Sequence, residues 1–470
     1  MTYALLIDFG STYTKLRAVD LERSEIIAGA QGPSTVSTDI CVGLDAALEA
    51  LRTELGHLPE FEYRLASSSA AGGLRMVTVG LVPELTAKAA RLAALGAGAK
   101  VGGTYSFELT DGDMAEIVAI RPDIVLLSGG TDGGNRKVIE HNGEMIAKSP
   151  LACPVVVAGN RNASDRIKET MSLGGKRAII AENVMPRHLE LNIVPAREAI
   201  RRVFIEHIVH AKGIDRAAGR FDAVLMPTPA AVLQGAQLIA DGTDDRPGLG
   251  SVLVVDIGGA TTDVHSVSDG LPGDSGVLYH GLPEPHAKRT VEGDLGMRHT
   301  ARNIVVEVGV VNFAVDVGLD AGVVETLLQR SDRDVEWLPG NADERRFDLA
   351  LARAATRLSV TRHAGWHETV YSATGPVTLQ HGKDLNDIET IIGTGGVLVH
   401  NENPHAILSA ALAGDDAPLA LRPRAARIVL DRQYALYACG LLSGVVPDEA
   451  LGLGLRMLRE GGGTDGFGTA

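Results

Sequence analysis

Cysteine and aromatic residues are scarce in this sequence of 470 residues. The three cysteines are Cys41, Cys153 and Cys439, and no two of them form a Cys-x-x-Cys pair. Their spacing excludes the common zinc and iron–sulfur sites and a disulfide framework. Aromatic residues make up 4% of the chain, which argues against platforms that stack nucleic-acid bases.

Positive charge is also in short supply, because 44 basic residues face 59 acidic ones and the formal net charge is −15. A chain of this sign has no general attraction to nucleic acid or to anionic membranes, so neither is expected as a partner. No uncharged apolar run approaches the ~18–20 residues of a spanning helix. The start, MTYALLIDFG, lacks the basic flank and long apolar run of a signal peptide. We therefore expect a cytoplasmic protein.

Glycine, by contrast, is abundant at 55 residues and often ends short apolar segments. Three strands are predicted within residues 4–30, a helix over 39–56, and a further strand at EYRLASSS. This βββαβ order begins a ribonuclease-H-like half. Helices and continuous apolar strands then alternate over 82–192. That alternation predicts an inserted, doubly wound α/β domain with a parallel sheet.

A stretch at 5–15, LLIDFGSTYTK, runs apolar residues into Asp8, a glycine and small hydroxyls. On its own it predicts either a strand with a tight turn or a phosphate-binding loop. The same order recurs 248 positions later, where Val254–Gly258 repeats Leu6–Gly10 and Thr262 repeats Thr14. Because two unrelated turns need not share this order, the repeat favours phosphate binding.

We expect the two loops to bind a nucleotide's phosphates between two domains. Backbone N–H groups that little or no side chain obstructs would approach the phosphates at Gly10, Ser11, Gly258 and Gly259. Hydroxyl donors would come from Ser11, Thr12, Thr261 and Thr262. Asp8 and Asp256 would repel phosphate, so we expect them to hold a hydrated Mg²⁺ through water. Lys15 stands where the second copy has Asp263, and either reaches a phosphate oxygen or pairs with a neighbouring acid.

Two further glycine-rich segments are candidate sites. The segment IIGTGGVLVH (391–400) carries Gly393, Gly395 and Gly396 after an apolar strand, where an adenosine could lie flat on the backbone. The alternative is an ordinary strand-to-helix turn. The segment GGTDGGN (129–135) either binds an anion through a glycine nest or is also a strand-to-helix turn.

These segments and their order resemble the actin, heat-shock chaperone and sugar kinase ATPase superfamily. Asp8–Lys15 and Asp256–Asp263 resemble its two phosphate loops, and Gly393–Gly396 resembles its adenosine motif. PTPAAVLQG (227–235) and YALYACGLL (434–442) resemble its connecting helices. The resemblance implies two duplicated actin-like ATPase halves around a nucleotide cleft, with ATP and Mg²⁺ as cofactors.

The same resemblance suggests further site residues and a domain division. Glu292, Gly293 and Asp294 either face the nucleotide or form the acidic first turn of a helix. Met226 stands where the chaperone ATPases have an acid, so slow hydrolysis is expected. The predicted segments are 1–81 and 193–245 for domain I with its connecting helix, 82–192 for the insert, 246–400 for domain II, and 401–470 for C-terminal helices returning to the ATPase core.

Several motifs together resemble the MutL/GlmL family of accessory proteins of adenosylcobalamin-dependent glutamate mutase. They are DFGSTYTK, SSAAGGLRM (68–76), LLSGGTDGG (126–134), VVDIGGATTDVHSV and RTVEGDLGMR (289–298). The resemblance implies an ATP-dependent chaperone that exchanges damaged cobalamin out of a mutase, with mutase subunits as partners. An actin-like assembly or scaffold ATPase and a hydantoinase-type metabolic ATPase are the alternatives.

Cobalamin itself is not expected to bind this chain. The cobalt-ligand signature Asp-x-His-x-x-Gly is incomplete at 263–270, because Ser268 stands in place of its glycine. His265 within this segment is interpreted as a solvent-facing or hydrogen-bonded structural histidine.

Overall fold

The computed structural model describes residues 2–10, 13–35, 39–69, 74–211, 222–373 and 375–461. The chain divides into two compact units. Unit 1 comprises residues up to 238 together with 281–285 and 436–453, and unit 2 comprises 239–280, 286–435 and the residues from 454 onwards.

The first sheet of unit 1 has five strands in the order β3-β2-β1-β4-β10. They are β1 (Tyr3–Phe9), β2 (Tyr13–Asp20), β3 (Glu25–Pro33), β4 (Phe61–Ser68) and β10 (Ala223–Pro227). The first three pair antiparallel, whereas β4 runs parallel to β1 and β10 runs parallel to β4. Helix α1 (Ile40–Leu55) begins after Asp39, whose carboxylate accepts the N–H of Cys41. This arrangement confirms the predicted ribonuclease-H-like half.

Between β4 and β10 the chain builds a second, fully parallel sheet in the order β6-β5-β7-β8-β9. Its strands are β5 (Arg75–Val79), β6 (Lys100–Tyr105), β7 (Ile124–Leu127), β8 (Val155–Val157) and β9 (Ala178–Ile180). The central strands β7 and β8 are wholly apolar because both faces of the sheet are covered there, whereas the edge strand β6 has polar and exposed residues. The sheet begins at β5, ahead of residue 82, which is the predicted start of the insert.

Helices cover both faces of this second sheet, as predicted for a doubly wound domain. They are α2 (Lys88–Gly96), which follows a π-helical turn at Pro83–Ala87, α3 (Asp111–Ile120), α4 (Lys137–Lys148), α5 (Ser164–Leu173), which follows a 3₁₀ turn at Arg161–Ala163, and α6 (Val194–Ala211). Met76 and Leu126 pack on the face with α2 and α6. Val77 and Val125 pack on the face with α3, α4 and α5.

The main sheet of unit 2 repeats the first sheet of unit 1, with the order β14-β12-β11-β17-β18. Its strands are β11 (Val252–Ile257), β12 (Thr262–Val267), β14 (Ala287–Glu292), β17 (Thr390–Thr394) and β18 (Arg427–Leu430). The strand directions also repeat, since the first three pair antiparallel and the rest are parallel. The predicted duplication is therefore confirmed.

The rest of unit 2 consists of helices and a small sheet. The helices are α8 (Ala301–Val308), α9 (Val310–Val317), α10 (Ala321–Arg333), α11 (Ala342–His363), α12 (Gly396–Val399) and α13 (Pro404–Leu408), with a 3₁₀ turn at Ser409–Ala411. Leu253 and Val255 of β11 pack with Phe347 and Leu351 of α11 in the core of this unit. The small sheet is formed by β13 (Val277–His280), β16 (Gly375–His381) and β15 (Trp366–Ser372), in that order.

The two segments that resemble connecting helices are helical. They lie in α7 (Thr228–Asp241) and α14 (Leu436–Leu442), and α15 (Pro447–Gly461) follows. A Cβ at Gly235 would overlap the carbonyl oxygen of Leu436, and one at Gly440 would overlap that of Ala231. The two backbones therefore meet where glycine leaves room for them. No helix within the described ranges is both long and apolar enough to cross a membrane.

Candidate functional site

The two repeated hairpins close with the same hydrogen bond. The N–H of Gly10 donates to the carbonyl of Tyr13 at 3.0 Å, and the N–H of Gly258 donates to the carbonyl of Thr261 at 2.9 Å. These pairs occupy equivalent positions in the 248-residue repeat. Without a ligand, both N–H groups are used inside their own turns, and their approach to a phosphate stays a prediction.

Neighbouring segments anchor each loop through its carbonyl groups. In the first loop, the hydroxyl of Ser34 donates to the carbonyl of Gly10 at 2.7 Å, and the N–H of Ser69 donates to that of Phe9 at 3.1 Å. The loop residues Ser11 and Thr12 lie outside the described residues. The anchored carbonyls leave little freedom at the base of this hairpin.

The second loop is held by the segment that follows β14. The N–H groups of Met297 and Arg298 donate to the carbonyls of Gly258 and Gly259, at 3.1 and 2.9 Å. Gly259 and Ala260 form the exposed end of the loop. Gly258 and Gly259 are the two glycines predicted to approach a phosphate here. Gly259 is the exposed one, and its carbonyl, not its N–H, holds the loop in place.

Asp8, at the end of β1, is 7% exposed and accepts a hydrogen bond from the Thr228 hydroxyl at 2.6 Å. The Ser67 hydroxyl lies 3.5 Å from the same carboxylate oxygen and 3.2 Å from Thr228. Burial raises the pKa of Asp8, and the bond from Thr228 opposes that rise. The result is a buried carboxylate beside two hydroxyl oxygens, those of Thr228 and Ser67.

Thr228 and Ser67 were missed by sequence reasoning. The available signal was a threonine followed by proline at the predicted start of the connecting helix, since threonine commonly begins helices there. Met226, the residue compared with the acid of the chaperone ATPases, is only 3% exposed. Its apolar side chain cannot orient a water molecule, whereas Thr228 two residues later reaches Asp8.

Lys15 lies directly opposite Asp8 in the β1–β2 ladder. Its positive charge lowers the pKa of Asp8, although less than burial raises it. Of the two roles left open for Lys15, interaction with a neighbouring acid is therefore present without any ligand.

Asp256 occupies the equivalent position in unit 2 and lies opposite Asp263 in the β11–β12 ladder. Asp263 in turn accepts a 2.7 Å ion pair from the buried guanidinium of Arg289. The ladder partner of the strand-end aspartate is thus a cation in unit 1, Lys15, and an acid in unit 2, Asp263, which is itself paired with Arg289.

The hydroxyl of Thr262 is committed within the protein. Thr262 is fully buried, and its hydroxyl donates to the carbonyl of Leu295 at 2.7 Å. Without a ligand, this hydroxyl therefore serves the protein's own structure, and its donation to a phosphate stays a prediction. Thr261, one residue earlier, is half-buried at the turn and retains a hydroxyl for such a role.

The three glycines of the 391–400 segment have different environments. A Cβ at Gly393 would lie 2.5 Å from Leu408 Cδ1, so the lack of a side chain at this position serves core packing. Gly395 has φ +94°, and its Cβ would lie 2.6 Å from Oδ1 of Asp256. Gly396 is exposed and begins α12. The segment is thus a strand-to-helix turn whose glycine lets the backbone approach Asp256.

Glu292 and Asp294 both accept hydrogen bonds from Nη1 of Arg362, at 2.9 Å. Glu292 ends β14 opposite Thr262, beside the second hairpin, and Gly293 lies in the turn that follows. The next helix begins only at Ala301. The alternative that these acids form the first turn of a helix is therefore wrong.

His265 is 1% exposed, and its Nδ1 has no hydrogen-bond partner. Burial, aided by the charge of Arg289, lowers its pKa to about 3. The solvent-facing interpretation is wrong, because this histidine is a neutral residue of the interior. In the described part of the chain, no group of three or more histidine, cysteine, aspartate or glutamate side chains is arranged to hold a metal ion.

Comparisons with known proteins agree on one family. A family model described as MutL protein matches residues 4–458. Protein MutL of Clostridium tetanomorphum is 46% identical over 451 residues, which cover 95% of this chain and 97% of that protein. Similar solved structures include the activator of the 2-hydroxyisocaproyl-CoA dehydratase from Clostridium difficile, with bound ADPNP (10% identity, TM-score 0.31, covering 98% of this chain and 96% of that one). Another is xylulose kinase from Bifidobacterium adolescentis (12% identity, TM-score 0.32, covering 96% and 92%). The chain belongs to the MutL protein family.

Proposed function

We propose that this protein binds and slowly hydrolyses ATP and uses it to reactivate an adenosylcobalamin-dependent glutamate mutase. The observation that carries the ATPase part is the duplicated hairpin, in which an aspartate ends the strand and the turn closes with the same hydrogen bond in both copies. Two unrelated turns have no reason to repeat the aspartate, the glycine and the turn together. The mutase part rests on membership of the MutL family.

Mg²⁺ fits the chemistry around Asp8. The carboxylate is buried with a raised pKa, and the oxygens of Thr228 and Ser67 lie beside it. A hydrated divalent cation would favour the ionised form and would find the hard oxygen donors that Mg²⁺ prefers. In our proposal Asp8 and Asp256 hold the ion through water, and the cation supplies charge neutralisation for the phosphates.

The remaining loop groups are assigned to the phosphates and the rest of the nucleotide. The described candidates are Lys15, the exposed Gly259 and the half-buried Thr261. Ser11 and Thr12 keep this role as a proposal from the sequence alone. Because Met226 is buried and apolar, hydrolysis lacks a carboxylate from the connecting segment, and we expect it to be slow. The inserted α/β domain is proposed to engage the mutase.

The ATPase proposal is tested by phosphate release with and without Mg²⁺. Asp8→Asn and Asp256→Asn should each abolish Mg²⁺-dependent release, because each removes one of the two carboxylates assigned to the ion. Glu169→Gln, which changes an exposed carboxylate of α5, is the matched control and should leave release unchanged. Wild-type rates in either aspartate variant would refute the role of that carboxylate.

The reactivation proposal needs a separate assay. Glutamate mutase inactivated with cyanocobalamin is mixed with this protein, ATP, Mg²⁺ and fresh adenosylcobalamin. We expect mutase activity to return only with ATP, and not with the Asp8→Asn variant. ATP hydrolysis without any recovery of the mutase would leave the ATPase standing and remove the reactivation claim.

A further inference from the structure

We propose that the inserted α/β sheet carries a second ligand site, for a phosphorylated ligand with a planar heteroaromatic ring. Within the sheet, β6 lies on one side of β5 and β7 lies on the other, so the direction of winding reverses between β5 and β7. In doubly wound sheets, ligands bind outside the carboxyl ends of the strands at such a reversal. The loops that leave β5 and β7 at this edge are Gly80–Val82 and Ser128–Arg136.

The loop after β7 offers unpaired donors to a phosphate. In the described part of the chain, the N–H groups of Gly129, Gly130 and Thr131 are paired with no acceptor, although Gly129 and Gly130 are buried. Buried backbone N–H groups are nearly always satisfied. Gly129 and Gly130 have φ of +143° and +71°, and successive N–H groups in such turns form concavities that bind anions. A phosphate group supplies the missing acceptors.

This loop is fixed in place from beneath by two buried asparagines. Asn183 Nδ2 donates to the carbonyl of Gly130 at 3.0 Å, and Asn160 Nδ2 donates to that of Gly134 at 3.1 Å. Asp132, the one acid of the loop, accepts bonds from the Arg161 N–H and from Asn183, both at 3.0 Å. These bonds fix the position of its carboxylate within the loop.

Positive side chains follow directly. Arg136 and Lys137 are exposed at the end of the loop and the start of α4, and Arg161 is exposed on the segment bonded to Asp132. Unpaired backbone N–H groups with cationic side chains on neighbouring segments are typical of sites that bind a phosphate.

An aromatic ring stands at the same edge of the sheet. Phe107 is 59% exposed and has φ +65°, a strained conformation for a residue other than glycine. Its backbone is held there by a 3.2 Å bond from its N–H to the carbonyl of Leu81 and by a 2.9 Å bond from Asn142 Nδ2 to its own carbonyl. Leu81 Cβ also lies 3.5 Å from the position a Cβ would take at Gly129. Phe107 therefore has a fixed backbone and an exposed ring, available for stacking, at the same edge of the sheet as the anion loop.

The test measures binding of FMN to the full chain by quenching of flavin fluorescence. FMN has the required ring and phosphate but no adenosine, so it does not report on the ATP site. We expect saturable binding, a dissociation constant raised about tenfold by Phe107→Ala through loss of ring stacking, and competition by inorganic phosphate. Lys137→Gln should weaken FMN binding and leave riboflavin binding unchanged, because riboflavin has no phosphate.

Two controls separate this site from the rest of the molecule. Leu173→Ala removes a comparably exposed apolar side chain, 85% exposed, on α5 of the same sheet and should leave FMN affinity unchanged. Asp8→Asn should also leave it unchanged, whereas it should abolish Mg²⁺-dependent ATP hydrolysis. The proposal is overturned if FMN shows no saturable binding up to about 1 mM, or if Phe107→Ala binds it as tightly as the wild type.

Discussion

Asp8 depends on a few neighbours to remain ionised. Burial disfavours its charge, and the hydroxyl of Thr228, the ammonium of Lys15 and the hydroxyl of Ser67 favour it. The Thr228 bond is the strongest of these opposing effects. The side chain that controls the charge of the first aspartate therefore comes from the start of α7, far from the phosphate-loop motif in sequence.

Thr228→Val keeps the shape of this side chain and removes its hydroxyl. We expect the pKa of Asp8 to rise further, because the ionised carboxylate loses its best donor. Mg²⁺-dependent ATP hydrolysis should fall, and the acid limb of its pH profile should move to higher pH. A hydrogen bond to a charged group contributes about 1.5–3 kcal/mol, so a loss of ten- to a hundredfold near neutral pH is the expected scale. Thr228→Ser retains the hydroxyl and should restore both the rate and the profile, while a Val variant with an unchanged profile would contradict this role.

Two buried histidines should make unit 2 sensitive to acid. His363 is fully buried, with Nε2 2.8 Å from the Ser266 hydroxyl and Nδ1 2.8 Å from that of Thr290. Burial and the charges of Lys288 and Lys383 hold the pKa of His363 well below its ordinary value, and the pKa of His265 is about 3. In the unfolded chain both histidines bind a proton below about pH 6.5, whereas in the folded chain they stay neutral at that pH. The stabilisation is therefore complete above that pH and is lost as the pH falls.

Calorimetry between about pH 7.5 and pH 5 measures this loss. Each such histidine should lower the free energy of unfolding by about 1.4 kcal/mol per pH unit below about pH 6.5. His363→Gln, which keeps a polar side chain but cannot titrate, should reduce the slope by one histidine's share. His405→Gln changes an exposed histidine and should leave the slope as in the wild type. Identical slopes in all three proteins would show that His363 does not carry the effect.

At the scale of elements, the strands and their duplication could be predicted, and the hydrogen bonds within the loops could not. A shift of 248 positions aligns β1 with β11 because apolar residues, an aspartate and a glycine recur in one order. The hydrogen bonds that Gly10, Gly258 and Thr262 donate within the protein could not be predicted. A glycine or threonine has the same letter whether its donor faces a ligand or closes a turn. The close packing at Gly393 could not be predicted either, because its neighbour Leu408 lies in a later helix.

The packing of α7 against α14 depends on glycine at both helices. Gly440→Ala places a methyl group on the carbonyl oxygen of Ala231, and neither backbone can move without disturbing its own helix. Overpacking of this kind costs about 1–3 kcal/mol, so the thermal midpoint of unit 1 should fall. Gly444→Ala is the matched control, because a Cβ at that exposed position meets no atom within 4 Å. Equal midpoints for the two variants would mean that the close approach of these helices is not maintained in solution.

At the scale of the whole molecule, the insert is joined to the first sheet by a common core. One cluster of buried residues contains Ile7 and Leu16 of the first sheet together with Leu126 and Val156 of the second. Only the opposite face of the second sheet, with Val125 and α3, α4 and α5, has a core of its own. The insert therefore relies on the ribonuclease-H-like half for one of its two covered faces.

This shared core predicts that the two sheets of unit 1 unfold together. Leu126→Ala should cost about 2–5 kcal/mol and lower the same calorimetric transition that Leu16→Ala lowers, although the residues belong to different sheets. Leu351→Ala, in the separate core of unit 2, should lower a different transition. If only one transition is resolved, it should become broader, because unit 2 then melts at a lower temperature than unit 1. A Leu126→Ala protein in which the insert melts in a transition of its own, with the Leu16-sensitive transition unmoved, would contradict the common core. The insert would then be an independent domain, and its ligand site could be studied apart from the ATPase.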